Sequence, residues 1–153
     1  MAKQLPMEKK NINSFFTDKN TFRRVDSYRI MYFMIAILAF LITEAGRFIY
    51  RPFIYANQIN DLGLADSIGN LGGVIVQIFV MLAFFNSQNK KAFRVIGFLV
   101  VGYILYEILQ PYLPKGVFDW KDVWGTIIGG LIATLIVLVK KKLIRKNKVI
   151  YKF

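Results

Sequence analysis

The sequence predicts an all-α polytopic membrane protein: four transmembrane helices arranged as two helical hairpins, with both termini cytoplasmic. Three observations predict it. Hydrophobic residues make up 56% of the 153, yet the chain carries a net charge of +12. The apolar residues and the charges occupy different stretches, and four apolar runs (30–48, 67–85, 93–109 and 123–139) are each 17 to 19 residues long. At about 1.5 Å per residue, a run of that length roughly spans the hydrocarbon of a bilayer. Helices of a soluble bundle would show a polar stripe roughly every 3.6 residues, and Met34 to Leu41 and Val74 to Phe85 have almost none. A nucleic-acid-binding domain would share the high pI but would not normally carry this apolar content.

In chain order, residues 1–29 form a basic cytoplasmic leader, 30–139 the four-helix transmembrane domain, and 140–153 a basic cytoplasmic tail. The first span is too long, and its leader too extended, for a cleaved signal peptide, and no small-residue cleavage motif follows it, so it stays as an anchor. Orientation comes from Lys and Arg. Of 21 such residues, 17 lie in the leader, the central turn (Lys90, Lys91, Arg94) and the tail, against only Arg47, Arg51, Lys115 and Lys121 on the opposite side. The positive-inside rule puts the majority in the cytoplasm, with membrane lipid as a partner of the basic flanks. The tail KKKLIRKNK could bind nucleic acid, but such tails commonly flank a last transmembrane helix, so nucleic acid is not expected as a partner.

The acids show the opposite bias. Glu44, Asp61, Asp66, Glu107, Asp119 and Asp122 all fall at the outer helix ends or in the outer loops, which the positive-inside rule does not require. Aromatics gather at the same level, including Tyr50, Tyr55, Tyr106, Tyr112, Trp120 and Trp124, as an interfacial belt would. Cys and His are both absent, which removes thiol nucleophiles, Cys-type zinc sites and the commonest general base. Any chemistry would fall to carboxylates.

The chain also repeats itself. Asp66-x-x-Gly69-Asn70-x-x-Gly73 aligns with Asp122-x-x-Gly125-Thr126-x-x-Gly129, and Glu44-x-x-Arg47 with Glu107-x-x-Gln110. Each half is a hairpin, and the halves would be related by an axis along the membrane normal. Asp66, Asn70 and Gly73 share one stripe of the second span, as Asp122, Thr126 and Gly129 do on the fourth. Gly69 with Gly73 and Gly125 with Gly129 are both G-x-x-x-G pairs, so all four are expected to pack helices closely, with the second and fourth spans in central contact. Asp66 and Asp122 sit where N-caps belong. Glu44 and Glu107 lie near helix C-termini inside the apolar boundary, where the macrodipole disfavours an anion, so they are expected to face the bundle interior with partners. Either Arg47 lies between the two glutamates, or Glu107 stays neutral in its apolar setting.

Glu107-x-x-Gln110, then Pro114-x-Gly116-x-Phe118-Asp119, then Asp122-x-x-x-Thr126-x-x-Gly129 resembles the VanZ-like family of small bacterial membrane proteins, whose pattern is Glu-x-x-Gln, a short loop and Asp-x-x-x-Asn-x-x-Gly. The resemblance covers about 25 residues of the third and fourth spans. Thr126 replaces the family's Asn, while Asp66-x-x-x-Asn70-x-x-Gly73 keeps it. The resemblance implies a multi-pass bacterial envelope protein, and some members of the family are associated with resistance to glycopeptide antibiotics such as teicoplanin.

Three functional classes follow. The preferred one is a non-enzymatic envelope protein that binds an amphiphilic or lipid-linked ligand, or a partner protein, at the outer leaflet. The residues expected to do so are Glu44, Arg47, Asp66, Asn70, Glu107, Gln110, Asp122 and Thr126. The second is an intramembrane enzyme whose paired acids serve as acid and base or hold Mg²⁺. The third is a small proton-coupled transporter, for which four helices would need a homodimer built on the glycine-rich faces.

Overall fold

The computed structural model describes residues 13–85, 90–114 and 116–150. The first twelve residues of the basic leader, the tip of the central turn, Lys115 and the last three residues of the tail lie outside them. Among the described residues all regular structure is helical: α1 (Asn13–Ala45), a π-helical turn (Gly46–Tyr50), α2 (Arg51–Ala56), α3 (Leu64–Phe84), α4 (Lys90–Leu109), a 3-10 turn (Gln110–Tyr112) and α5 (Trp120–Ile150). Four stretches, Ser27–Ala56, Leu64–Phe84, Lys90–Tyr112 and Trp120–Leu143, are long and apolar enough to cross a membrane. An even number of crossings brings both ends of this block to one face, here the terminal end; the opposite face, with the 57–63 and 113–119 connections, is the loop end.

Side-chain sizes follow the demands of a lipid solvent. Large apolar groups such as Phe33, Leu38, Leu41, Phe98, Leu131 and Leu135 are exposed, while Ala36, Val74, Ile78, Phe79, Leu82, Ala92 and Ala133 are buried. Oil against lipid gains little, so close packing has to hold the helices together. The α3–α5 contact is the most extensive, with α1 packed on α3 and α4 packed mainly on α5. The α1–α3, α3–α5 and α4–α5 interfaces each turn on a glycine. Gly46 and Gly72 meet Ile68 and Thr43 between α1 and α3, and Gly130 meets Val100 between α4 and α5. A Cβ on Gly125 would stand 2.8 Å from the Ser67 carbonyl oxygen, and one on Gly129 would stand 2.5 Å from that of Leu71. Gly69 and Gly73 behave differently. A Cβ at either would meet nothing within 4 Å, so the expectation that both G-x-x-x-G pairs pack helices holds only for the pair on α5. At the terminal end, Lys140 Nζ is buried without a hydrogen-bond partner. It lies over the rings of Tyr28 and Tyr32 at 4.1 and 3.7 Å, a cation–π seat that joins α5 to α1.

The helices run past the expected spans at several ends, α1 from Asn13 and α5 to Ile150 among them, and two of the differences bear on the site. The first span does not stop at Phe48 but continues helically to Ala56. Pro52 has no N–H for an α-helical bond. The turn before it widens so that Arg51 N–H reaches back to the Gly46 carbonyl, and the chain passes the proline without leaving the helix. The N-caps also lie upstream of Asp66 and Asp122. Asp61 accepts the Ala65 N–H at 2.6 Å and the Gly63 N–H at 3.0 Å, and Gly63 supplies the left-handed backbone (φ +85°) that turns the chain into α3. Asp119 accepts the Lys121 N–H at 2.9 Å. Asp66 and Asp122 fall in the first helical turn instead, so capping leaves their carboxylates free for other partners. Replacing Asp61 by alanine is expected to cost about 1 kcal/mol of stability, measurable as a lowered midpoint of thermal unfolding in detergent; Asp66→Ala should leave the α3 cap intact.

Candidate functional site

Three groups of polar residues gather toward the loop end. The outermost centres on Asp66, whose side chain is 28% exposed. Its Oδ2 accepts Lys121 Nζ at 2.5 Å, its Oδ1 accepts the Tyr55 hydroxyl, and Arg51 Nη2 lies 3.9 Å away. Arg51 Nε donates to the Tyr55 hydroxyl at 3.1 Å, and the guanidinium lies over the Tyr55 ring. One carboxylate from α3 therefore gathers two cations, one from α2 and one from the start of α5. Both cations are nearly half exposed, so these pairs add little stability in water. What they do is hold Arg51 and Lys121 side by side with donors to spare.

The second group lines a groove between α1 and α3. It has a volume of about 390 Å³ and includes Phe40, Glu44, Arg47, Gly69, Gly73 and Gln77. Gly69 and Gly73 form its floor, which is why no atom approaches their absent side chains. Arg47 donates to Glu44 at 3.1 Å, one helical turn away, and is itself 52% exposed. The groove and the Asp66 cluster lie on the same helix faces: on the first span Phe40, Glu44, Arg47 and Arg51 succeed one another about a turn apart, and on α3 so do Asp66, Gly69 and Gly73. Of the charged residues, Glu44 and Arg47 line the groove itself, and the adjoining cluster adds Arg51 and Lys121 against Asp66, so cations outnumber acids across the two. Below these charges the walls are Val76, Val80, Met81 and Phe40, with Thr43 and Gln77 as polar groups, Gln77 accepting the Tyr103 hydroxyl at 2.7 Å.

The third group is buried where α3, α4 and α5 meet. Asn70 Nδ2 donates to Glu107 Oε1 at 3.1 Å, and Glu107 is 1% exposed. Its other oxygen, Oε2, has no partner, and neither has the hydroxyl of the fully buried Thr126. Asp122 lies beside Asn70, close enough to Glu107 for the two charges to interact.

The predicted residues thus divide. Asn70, Glu107, Asp122 and Thr126 come together in the interior, Glu44 and Arg47 line the groove, and Asp66 joins the surface cluster. Arg47 does not lie between the glutamates: it pairs with Glu44, and Glu107 takes a neutral amide instead. Gln110 enters the 3-10 turn, where its carbonyl accepts the Leu113 N–H; among the described residues no side-chain hydrogen bond links it to Glu107. Among the described residues, no three acids gather as a metal-holding group. Arg51, Tyr55 and Lys121 carry no site signal in the sequence: two of them read only as topology signals and the third as an interfacial aromatic. The i, i+4 spacing of Arg51 and Tyr55 carries meaning only once 51–56 is seen to be helical.

Compared with protein-family models, with curated proteins and with solved structures, the chain matches none.

Proposed function

We propose that this chain is a bacterial cytoplasmic-membrane protein that binds an amphiphile with an anionic head group at the outer leaflet. The observation that carries the reading is the groove between α1 and α3: apolar walls and a glycine floor, Arg47 on its lining, and the Arg51–Lys121 pair about one helical turn beyond it toward the loop end. An acyl or isoprenoid chain fits the trench, where lipid-facing contacts cost nothing to replace. A phosphate or carboxylate fits beyond it, where Arg51 and Lys121 offer charge-assisted donors already held near the bilayer interface. The excess of Lys and Arg at the opposite face supports the outer assignment.

Native mass spectrometry of the protein released from a mild detergent tests this reading. The expected result is retained lipid on the monomer, with phosphatidylglycerol rebinding more tightly than phosphatidylcholine. Equal retention of the two lipids, or a dimer that carries none, would contradict it. The resemblance to VanZ-like proteins makes teicoplanin a second probe. Bacteria expressing the chain are expected to tolerate more of it, and an unchanged inhibitory concentration would remove the antibiotic from the candidate ligands.

A further inference from the structure

The buried group at the α3–α4–α5 junction is separate from the groove and does not serve it. Helix registers bring its members to one level. Gly130 meets Val100, and seven residues along each antiparallel helix set Glu107 level with Val123, flanked on α5 by Asp122 and Thr126. Gly125 lies against Ser67 and Leu71, which sets Asn70 level with Thr126. Asn70 Nδ2 donates to Glu107 and also hydrogen-bonds Asp122, which leaves its carbonyl oxygen as the amide's remaining acceptor. Four oxygen-bearing side chains from three helices therefore share one layer, two of them carboxylates. Glu107 Oε2 and Thr126 Oγ1 are buried and unpartnered. Arg51 is near enough to feel the charge of Asp122, but its ion pair, like that of Lys121, is with Asp66, and among the described residues no ion pair involves Glu107 or Asp122.

Acids buried among membrane helices are normally matched by a counter-charge, and an unpartnered polar atom in such a place is costly. We propose that the Asn70–Glu107–Asp122–Thr126 layer binds a monovalent metal cation, with sodium as the ion to test. Two carboxylates, an amide carbonyl and a hydroxyl are hard oxygen donors. A small dehydrated cation would satisfy both orphaned atoms at once and tie α4 to the α3–α5 pair. Magnesium is less suited, since it keeps several waters and Glu107 and Thr126 are sealed from solvent.

The test is thermal unfolding of the full chain in detergent, with sodium chloride replaced stepwise by choline chloride at constant ionic strength. Sodium is expected to raise the unfolding midpoint in a saturable way, by roughly 5 to 10 °C at a hundredfold excess over its dissociation constant. Thr126→Val keeps the shape and removes one donor, and is expected to weaken the sodium dependence at least tenfold while remaining folded in choline. Glu107→Gln is expected to abolish it. A wild-type midpoint indifferent to sodium, or a sodium effect retained in full by both variants, overturns the proposal. So does an equal rise with magnesium at matched ionic strength, because that would report charge screening and not a fitted site.

Discussion

Replacing Gly129 by leucine is expected to prevent stable folding, whereas the same replacement at Gly73, the second glycine of the other G-x-x-x-G pair, is expected to leave the fold intact. The contrast follows from what each missing side chain would meet. At Gly129 even a Cβ runs into the Leu71 carbonyl and the Val74 side chain. Backbone cannot yield as a flexible side chain can, so α3 and α5 would have to separate along their whole contact. Overpacking of a close interface commonly costs about 1 to 3 kcal/mol, and a leucine facing backbone belongs at the upper end or beyond. Gly129→Ala should already lower the unfolding midpoint. At Gly73 the added atoms enter the α1–α3 groove, where nothing lies within 4 Å. Size-exclusion profiles and thermal unfolding of the two variants in detergent check this. Equal loss at both positions would mean that the α1–α3 groove is closed in the folded protein.

Removing Arg51 and Lys121 together is expected to weaken binding of an anionic amphiphile by about 100-fold, taking about 1.5 kcal/mol for each charge-assisted contact at the low end of its range. Asp66→Asn should act in the opposite direction. Its carboxylate competes for the same two cations, so neutralising it frees their donors and raises the local positive charge. The expected gain is severalfold, smaller than the loss because Tyr55 still holds Arg51. Titration of phosphatidylglycerol in native mass spectra checks both variants. Opposite signs are the signature of a head-group site; weakened binding in both would instead make Asp66 a direct contact or a scaffold for the mouth.

The four spans were legible because run length and charge segregation are properties of the solvent each segment needs, and the chain states them directly. What was not legible depended on backbone geometry. The apolar run ends at Phe48 in the sequence, and only the wide turn at Gly46–Tyr50 carries the helix on past Pro52. That extension is what raises Arg51 and Tyr55 to Asp66. Asp66 and Asp122 read as caps by position; Asp61 and Asp119 took that role by starting each helix a few residues earlier. The two glycine pairs are identical in spacing, and their different fates follow from which neighbour α3 and α5 each face. The gathering of Asn70, Glu107, Asp122 and Thr126 was partly visible, as two polar stripes and an acid with no local reason to be there. That Asn70 would be Glu107's partner could be seen only with α3 and α4 side by side.

The central claim, that the groove between α1 and α3 is a binding site for an amphiphile, is tested most directly by filling it. Gly73→Leu places a side chain on the groove floor without touching the cations toward the loop end. With lipid retention measured by native mass spectrometry on wild type and variant of matched thermal stability, the account predicts bound lipid on the wild type and at least a tenfold loss on Gly73→Leu. Undiminished lipid on a folded Gly73→Leu protein would contradict it.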